Sequence, residues 1–290
     1  MKADLLDIPD ELAVIAGRGA YPLMLAESAR RQGVRKIFAA AFKNETERAI
    51  EKLADETLWF KFGQLGAVLE AVKASGVKHA VMAGQITPLS LFRLRPDAKA
   101  LALLAGMRQR NARTIFGAVC AEFSAIGVQL LPAWQFMENS LPKAGQLSLR
   151  PPTEREQKDI ELGMRAAKAV SALEIGQTVV VKEGVILAVE AFEGTDQTIL
   201  RAGDLGGTGA VVVKTARNDH DMRYDIPVVG LKTMKILKKI KAAALAVEAG
   251  RTIMLEPDKI IAEADRMGLA LVAVDTENSR HKGTEAEGTK

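Results

Sequence analysis

Two stretches in the second half of the sequence place carboxylates and cations beside flexible backbone. The first, "EGTDQTILRAGDLGGTG", runs from Glu193 to Gly209; with Glu190 just ahead, it offers Glu193, Asp196 and Asp204 around the Gly194-Thr195 pair. Thr195 is expected to cap a helix over 196–201, which makes Gly194-Thr195 a helix start able to hold an anion. The second stretch, "KTARNDHDMRYD", carries Lys214, Arg217, Asp219, Asp221, Arg223 and Asp225. In an extended segment, residues 219, 221, 223 and 225 project to one side. Carboxylates suit a hard divalent cation and arginine suits a phosphate, so this face fits a metal and phosphate together. A solvated polar loop is the other reading of the same charges.

A third stretch, "GRGAYP", follows an apolar strand near the N-terminus. It is half of a dinucleotide fingerprint: Gly17 and Gly19 are present, and Pro22 stands where the third glycine belongs. It reads either as backbone N–H groups cradling a phosphate or as a plain strand-to-helix turn. No acid closes the second strand where a ribose partner would sit, which counts against NAD.

Other chemistries are poorly served. His79, His220 and His281 are too scattered for zinc, and no G-x-S-x-G elbow is present for a serine hydrolase. Cys120 lies in an apolar helical stretch and reads as a buried structural thiol. A lone cysteine excludes an intrachain disulfide framework and fits a reducing cytosol. The net charge of +4 allows an anionic ligand, but basic-aromatic interleaving for nucleic acid is missing. Five lysines in "LKTMKILKKIKAAAL" read as the solvated face of a helix, with an anionic membrane surface as the alternative.

The elements that must position these residues follow from periodicity. The 290 residues suit two domains. In the first, short apolar strands (12–16, "RKIFAAAF", "ETLWFKF", "KHAVMAG") alternate with helices, which predicts an α/β fold with a Rossmann-like parallel sheet over 1–133. Gly17, Gly63 and Gly84 fall at the C-terminal strand ends, the edge where such sheets bind ligands. A further strand is expected at 128–131. Residues 134–152, rich in proline and serine, read as a linker. A mixed α/β (α+β) catalytic domain is expected over 153–276. It opens on a capping box of Thr153 and Glu156, continues in a hairpin of 177–181 and 185–191 with a turn at Lys182-Glu-Gly184, and ends in alternating strands and helices. Residues 277–290 read as a disordered tail. No signal peptide or membrane-spanning run is expected.

"VIAGRGAYP", "FGQLGAVLEAVKASGVKHAVMAG", "EAFEGTDQTI" and "DMRYDIPVVGLKT" together resemble the UDP-2,3-diacylglucosamine pyrophosphatases of the LpxI type. The resemblance covers roughly residues 10 to 275. It implies a two-domain enzyme of lipid A biosynthesis in Gram-negative bacteria. Such an enzyme hydrolyses its substrate to UMP and 2,3-diacylglucosamine 1-phosphate with Mg2+ or another divalent cation such as Mn2+, the substrate lying between the domains. The family's catalytic aspartate falls on Asp225; Asp221 and Arg223 match the first acid and the arginine of its D-x-R-[FY]-D motif; Glu193 to Asp196 match its EGTD. Asp225, Asp221 and Arg223 are therefore the catalytic candidates. Gly17, Gly19, Gly84, Gly194, Thr195 and Lys214 are the substrate-binding ones, and Asp225, Asp221, Asp196 and Glu193 the metal ligands. The chain departs from the family at Arg18, where a third consecutive glycine is common, at Gln85, where lysine is common, and over Arg217 to His220. The expectation is a cytoplasmic homodimer with peripheral contact at the inner membrane and no nucleic-acid partner. A nucleotide-dependent oxidoreductase or transferase using the glycine turn, or a non-catalytic binder of nucleotide or lipid, are the alternatives.

Overall fold

A computed structural model describes residues 8–85, 96–108, 112–132, 134–218, 221, 223 and 226–276. The chain folds as two compact units divided after Glu138, and Asp221 and Arg223 group with the first.

The first unit is built on five parallel strands: β1 (Glu11–Ala16), β2 (Lys36–Phe42), β3 (Glu56–Phe60), β4 (His79–Ala83) and β5 (Gln129–Leu130), in the order β3-β2-β1-β4-β5. β1 and β2 are buried along nearly their whole length, as central strands covered on both faces must be, which explains their unbroken apolar sequence. Helices α1 (Tyr21–Arg31), α2 (Leu65–Ala74), α3 (Ala98–Ala105) and α4 (Ala112–Ala125) follow the strands. Val68, Leu69 and Val72 of α2 and Cys120 and Phe123 of α4 pack with Phe38, Ala40 and Phe60 of the sheet. The strand order reverses between β1 and β4, so the switch point of the sheet lies between the ends carrying Gly17 and Gly84.

The second unit centres on a six-stranded mixed sheet: β6 (Gly145–Gln146), β7 (Thr178–Lys182), β8 (Val185–Val189), β9 (Val211–Lys214), β11 (Ala244–Glu248) and β13 (Ala270–Val274), in the order β6-β13-β11-β9-β7-β8. β9, β11 and β13 run parallel, while β6, β7 and β8 each join antiparallel. A separate parallel pair joins β10 (Val228–Val229) and β12 (Ile253–Met254). Successive valines of β7 and β9 alternate between faces. Val179, Val181, Val211 and Val213 meet Ile160, Met164 and Ala167 of the long helix α5 (Glu154–Ala172). Val180 and Val212 meet α6 (Thr195–Gly206), α7 (Leu231–Lys239) and α8 (Pro257–Met267) on the other face.

The capping box forms as read: Thr153 Oγ1 accepts from Glu156 N–H and Glu156 accepts from Thr153 N–H. The hairpin turn is the two residues Glu183 and Gly184, both with positive φ, so it has the primed geometry that matches strand twist. Two sequence expectations shift. Much of the proline-rich stretch is built into the second unit: β6 pairs with β13, and the Arg150 guanidinium grips Glu156 through two parallel bonds of 2.9 and 3.0 Å while donating to the Gly268 carbonyl. Prolines there remove helix and ladder options without preventing anchoring through side chains. α6 begins one residue earlier than expected, with Gly194 as its cap and Thr195 as its first helical residue. Among the described residues, no helix is long and apolar enough to cross a membrane.

Candidate functional site

The C-terminal ends of β9 and β11, the start of antiparallel β7 and the end of β8 converge on one edge of the second sheet. Register places Lys214 opposite Thr178 and next to Val247. The Lys214 side chain is buried, a rare state for lysine, and its Nζ donates to Thr195 Oγ1 at 2.9 Å. Thr195 Oγ1 in turn donates to Glu190 Oε1 at 2.9 Å and lies 3.4 Å from the hydroxyl of fully buried Thr178. An ammonium, two hydroxyls and a carboxylate thus form one partly buried chain at the N-terminus of α6. That helix end presents unpaired N–H groups and a partial positive charge. The freed Thr195 side chain is the consequence of capping by Gly194. The glycine takes φ 80 and ψ 167, backbone space essentially reserved for glycine. The hydroxyl therefore points to Lys214 instead of closing the helix. An ammonium, a helix start and nearby Lys232 make this edge suited to a phosphate.

The carboxylates of the EGTD stretch divide their work. Glu193 accepts from Arg201 at 2.6 Å, from Thr198 Oγ1 and from Ala191 N–H, and the Arg201 bond holds its pKa below the ordinary glutamate value. It fastens the turn into α6. Asp196 pairs at 2.5 Å with Lys232, whose side chain is 82% exposed and free to move aside. Of the two, Asp196 is the hard oxygen donor more readily available to a cation.

The second motif is held differently. Asp221 takes Arg223 through a fork of 2.9 and 2.6 Å and also accepts from the Arg223 N–H, so the acid fixes the direction of the guanidinium. This pair groups with the first unit, and Asp196, Glu193 and Lys214 belong to the second. Asp219, His220 and Asp225 lie outside the described residues. Among the described residues, no three potential metal ligands of the His, Cys, Asp and Glu types come together. Arg223 and Asp221 are close enough to Cys120 to act on its thiol in opposite directions. Burial dominates and raises that thiol to about 11, in keeping with a structural role.

At the switch point of the first sheet, Gly17 and Gly84 meet backbone to backbone. A Cβ on Gly17 would lie 2.8 Å from the Gln85 carbonyl oxygen, and one on Gly84 2.8 Å from Gly17 C. The Gly17 N–H donates to Ala83 O, and Arg18 and Gln85 exchange backbone bonds of 2.8 and 3.0 Å. The donors of Gly17 and Arg18 are thus engaged within the protein, and both glycines are explained by close approach. An anion here would fall to later groups of the turn, from Gly19 onward. Two of the departing positions, Arg18 and Gln85, turn out to be partners across this bridge.

The N-terminal domain model of LpxI matches residues 11–140 and the C-terminal domain model matches residues 143–272. The chain belongs to the LpxI family. A curated LpxI-family relative, the UDP-2,3-diacylglucosamine pyrophosphatase LpxI of Caulobacter vibrioides, is 29% identical over 277 residues, covering 91% of this chain and 98% of its own. Among solved structures, the biotin carboxylase domain of Hydrogenobacter thermophilus 2-oxoglutarate carboxylase matches at 15% identity and a TM-score of 0.25, over 67% of this chain and 40% of that one. Phosphoribosylglycinamide synthetase from Anaerococcus prevotii matches at 15% and 0.25, over 66% and 42%. The chain spans less than half the length of these two, and at that score neither likeness bears on fold or function.

Sequence reasoning named Glu190, Thr195 and Lys214 but missed Lys168, Glu248 and Arg251, which crowd the same sheet edge. The available signal was Glu248 itself, a lone acid closing the apolar run "ALAVE".

Proposed function

We propose that this protein hydrolyses the pyrophosphate of UDP-2,3-diacylglucosamine to UMP and 2,3-diacylglucosamine 1-phosphate, a step of lipid A synthesis. The observation that carries the reading is the Lys214–Thr195–Glu190 chain beneath the α6 N-terminus, in a chain whose family relative bears that activity in its name. Pyrophosphate hydrolysis needs charge neutralised on phosphoryl oxygens and a water placed in line with the leaving group. Within the second unit, Lys214 and the α6 N–H groups answer the first requirement; Arg223, oriented by Asp221, is the cation that the first unit offers. Asp225 is assigned to the second.

A divalent cation, Mg2+ or Mn2+, is part of this proposal. Asp196, Asp221 and Asp225 are the hard oxygen candidates: Lys232 is a displaceable partner for the first, and the second would have to share its oxygens with Arg223. Glu193, tied to Arg201, serves the turn instead. When bound, the cation would neutralise phosphoryl charge. Work as a homodimer in the cytoplasm, with peripheral access to a membrane-borne glycolipid, completes the proposal. Purified protein with UDP-2,3-diacylglucosamine is expected to release UMP with Mg2+, to stop with EDTA, and to lose at least a hundredfold in rate as Asp225→Ala. Folded wild type that makes no UMP across several divalent metals would overturn the reading.

A further inference from the structure

Glu248 ends β11 with its carboxylate only 1% exposed. Its Oε1 accepts from Lys168 Nζ of α5 and from Thr276 Oγ1, each at 2.6 Å. Its Oε2 accepts from Thr215 Oγ1 at 2.6 Å and from Ala216 N–H at 2.7 Å, and Arg251 stands 3.8 Å away. The cations it gathers reach on to the same short segment. Lys168 also donates to the Ala216 carbonyl at 2.7 Å, and Arg251 donates to the carbonyls of Arg217 and Asn218 at 2.6 and 3.2 Å. The Arg217 side chain is pinned to Glu174 at 2.7 Å. Every residue from Thr215 to Asn218 is therefore held, directly or through one cation, by this acid and its partners.

That segment joins Lys214 of the phosphate-holding edge to the chain that carries Asp221, Arg223 and Asp225. A buried ionic cluster of this kind contributes little net stability compared with an apolar packing of equal volume. What it adds is a fixed geometry, since a carboxylate with all its acceptor sites filled permits one arrangement of its donors.

We propose that Glu248 is a positioning residue: through Lys168, Arg251 and the 215–218 backbone, it sets where the chain leaves β9 towards the second acid motif. The catalytic consequence rests on the pyrophosphatase reading; the structural one does not. Glu248→Gln keeps the shape and removes the charge. It is expected to lower kcat for UMP release at least tenfold with KM within twofold of wild type, and to speed amide exchange over 215–218. Because this variant leaves Lys168 buried without its counter-charge, the double variant Lys168→Met/Glu248→Gln is the control. It is expected to regain thermal stability without regaining kcat. Recovery of kcat together with stability would reduce Glu248 to a structural role and overturn the proposal. Unchanged exchange over 215–218 in Glu248→Gln would overturn it as well. If wild type releases no UMP, the functional reading fails, and the exchange comparison alone decides the clamp.

Discussion

At the residue scale, the site depends on one backbone conformation. Gly194 turns its φ positive so that the Thr195 hydroxyl is released to Lys214 and Glu190. An added Cβ would meet nothing within 4 Å, so the cost of Gly194→Ala is purely conformational, about 1–3 kcal/mol. That variant is expected to melt several degrees lower and to release UMP at a small fraction of the wild-type rate. A normal rate would show that the helix start is not part of the chemistry. Gln135 presents the opposite case. Among the described residues, neither atom of its buried amide has a partner. Replacing an unsatisfied amide with a side chain of similar shape recovers its desolvation penalty, so Gln135→Met is expected to gain about 1–3 kcal/mol in denaturant unfolding. Of the candidate residues, Thr195, Lys214 and Asp196 were legible from type and spacing. Glu248, Lys168 and Arg251 were not: Lys168 lies 80 positions from the stretch that holds the other two, and only folding makes them neighbours.

At the element scale, local rules account for most boundaries. Gly33 and Gly76 follow the ends of α1 and α2 with positive φ, Pro22 and Pro257 lie in the first turns of α1 and α8, and the Thr153 box opened α5. α5 does more than cover the sheet. Its buried Asp159 accepts from the N–H groups of Glu183 and Gly184 at 2.8 and 2.7 Å, locking the β7–β8 turn. Asp159→Ala strands two turn donors and is expected to cost about 2–3 kcal/mol, read by chemical denaturation. It leaves the Lys214 edge intact, so the kcat of the surviving folded fraction is expected to stay near wild type. The hairpin was legible because strand patterning and a Glu-Gly turn are adjacent in sequence. The helix residue that secures it was not, because side-chain reach across 24 positions has no local signature.

At the scale of the whole molecule, Glu248 links α5, β9, β11 and the chain after β13, so its ionisation bears on the entire second unit. Burial pushes its pKa up, but bonds from Lys168, Thr215 and Thr276, with the Lys168 charge, outweigh burial and hold it below the ordinary 4.5. A depressed carboxylate contributes stability that is complete above the unfolded-state pKa and fades as pH falls through the lower folded value. Stability of the second unit is therefore expected to be flat above about pH 5 and to drop below about 4.5. Glu248→Gln is expected to remove part of that drop in acid titrations followed by circular dichroism. An unaltered acid midpoint would exclude Glu248 as a contributor.

By itself, the sequence determined the class of fold, the presence of two domains, the parallel sheet with glycines at its strand ends, and the motifs that mark the family. Those features are local or periodic: runs of apolar residues, turn chemistry and short spacings. The tertiary structure decided how the charges are used. It engaged Gly17 and Arg18 in a backbone bridge, tied Glu193 to Arg201, buried Lys214 under a helix start and drew four distant residues around Glu248. Which partner a carboxylate takes depends on what folding brings within about 3 Å of it, and that distance has no counterpart in the linear order of the chain.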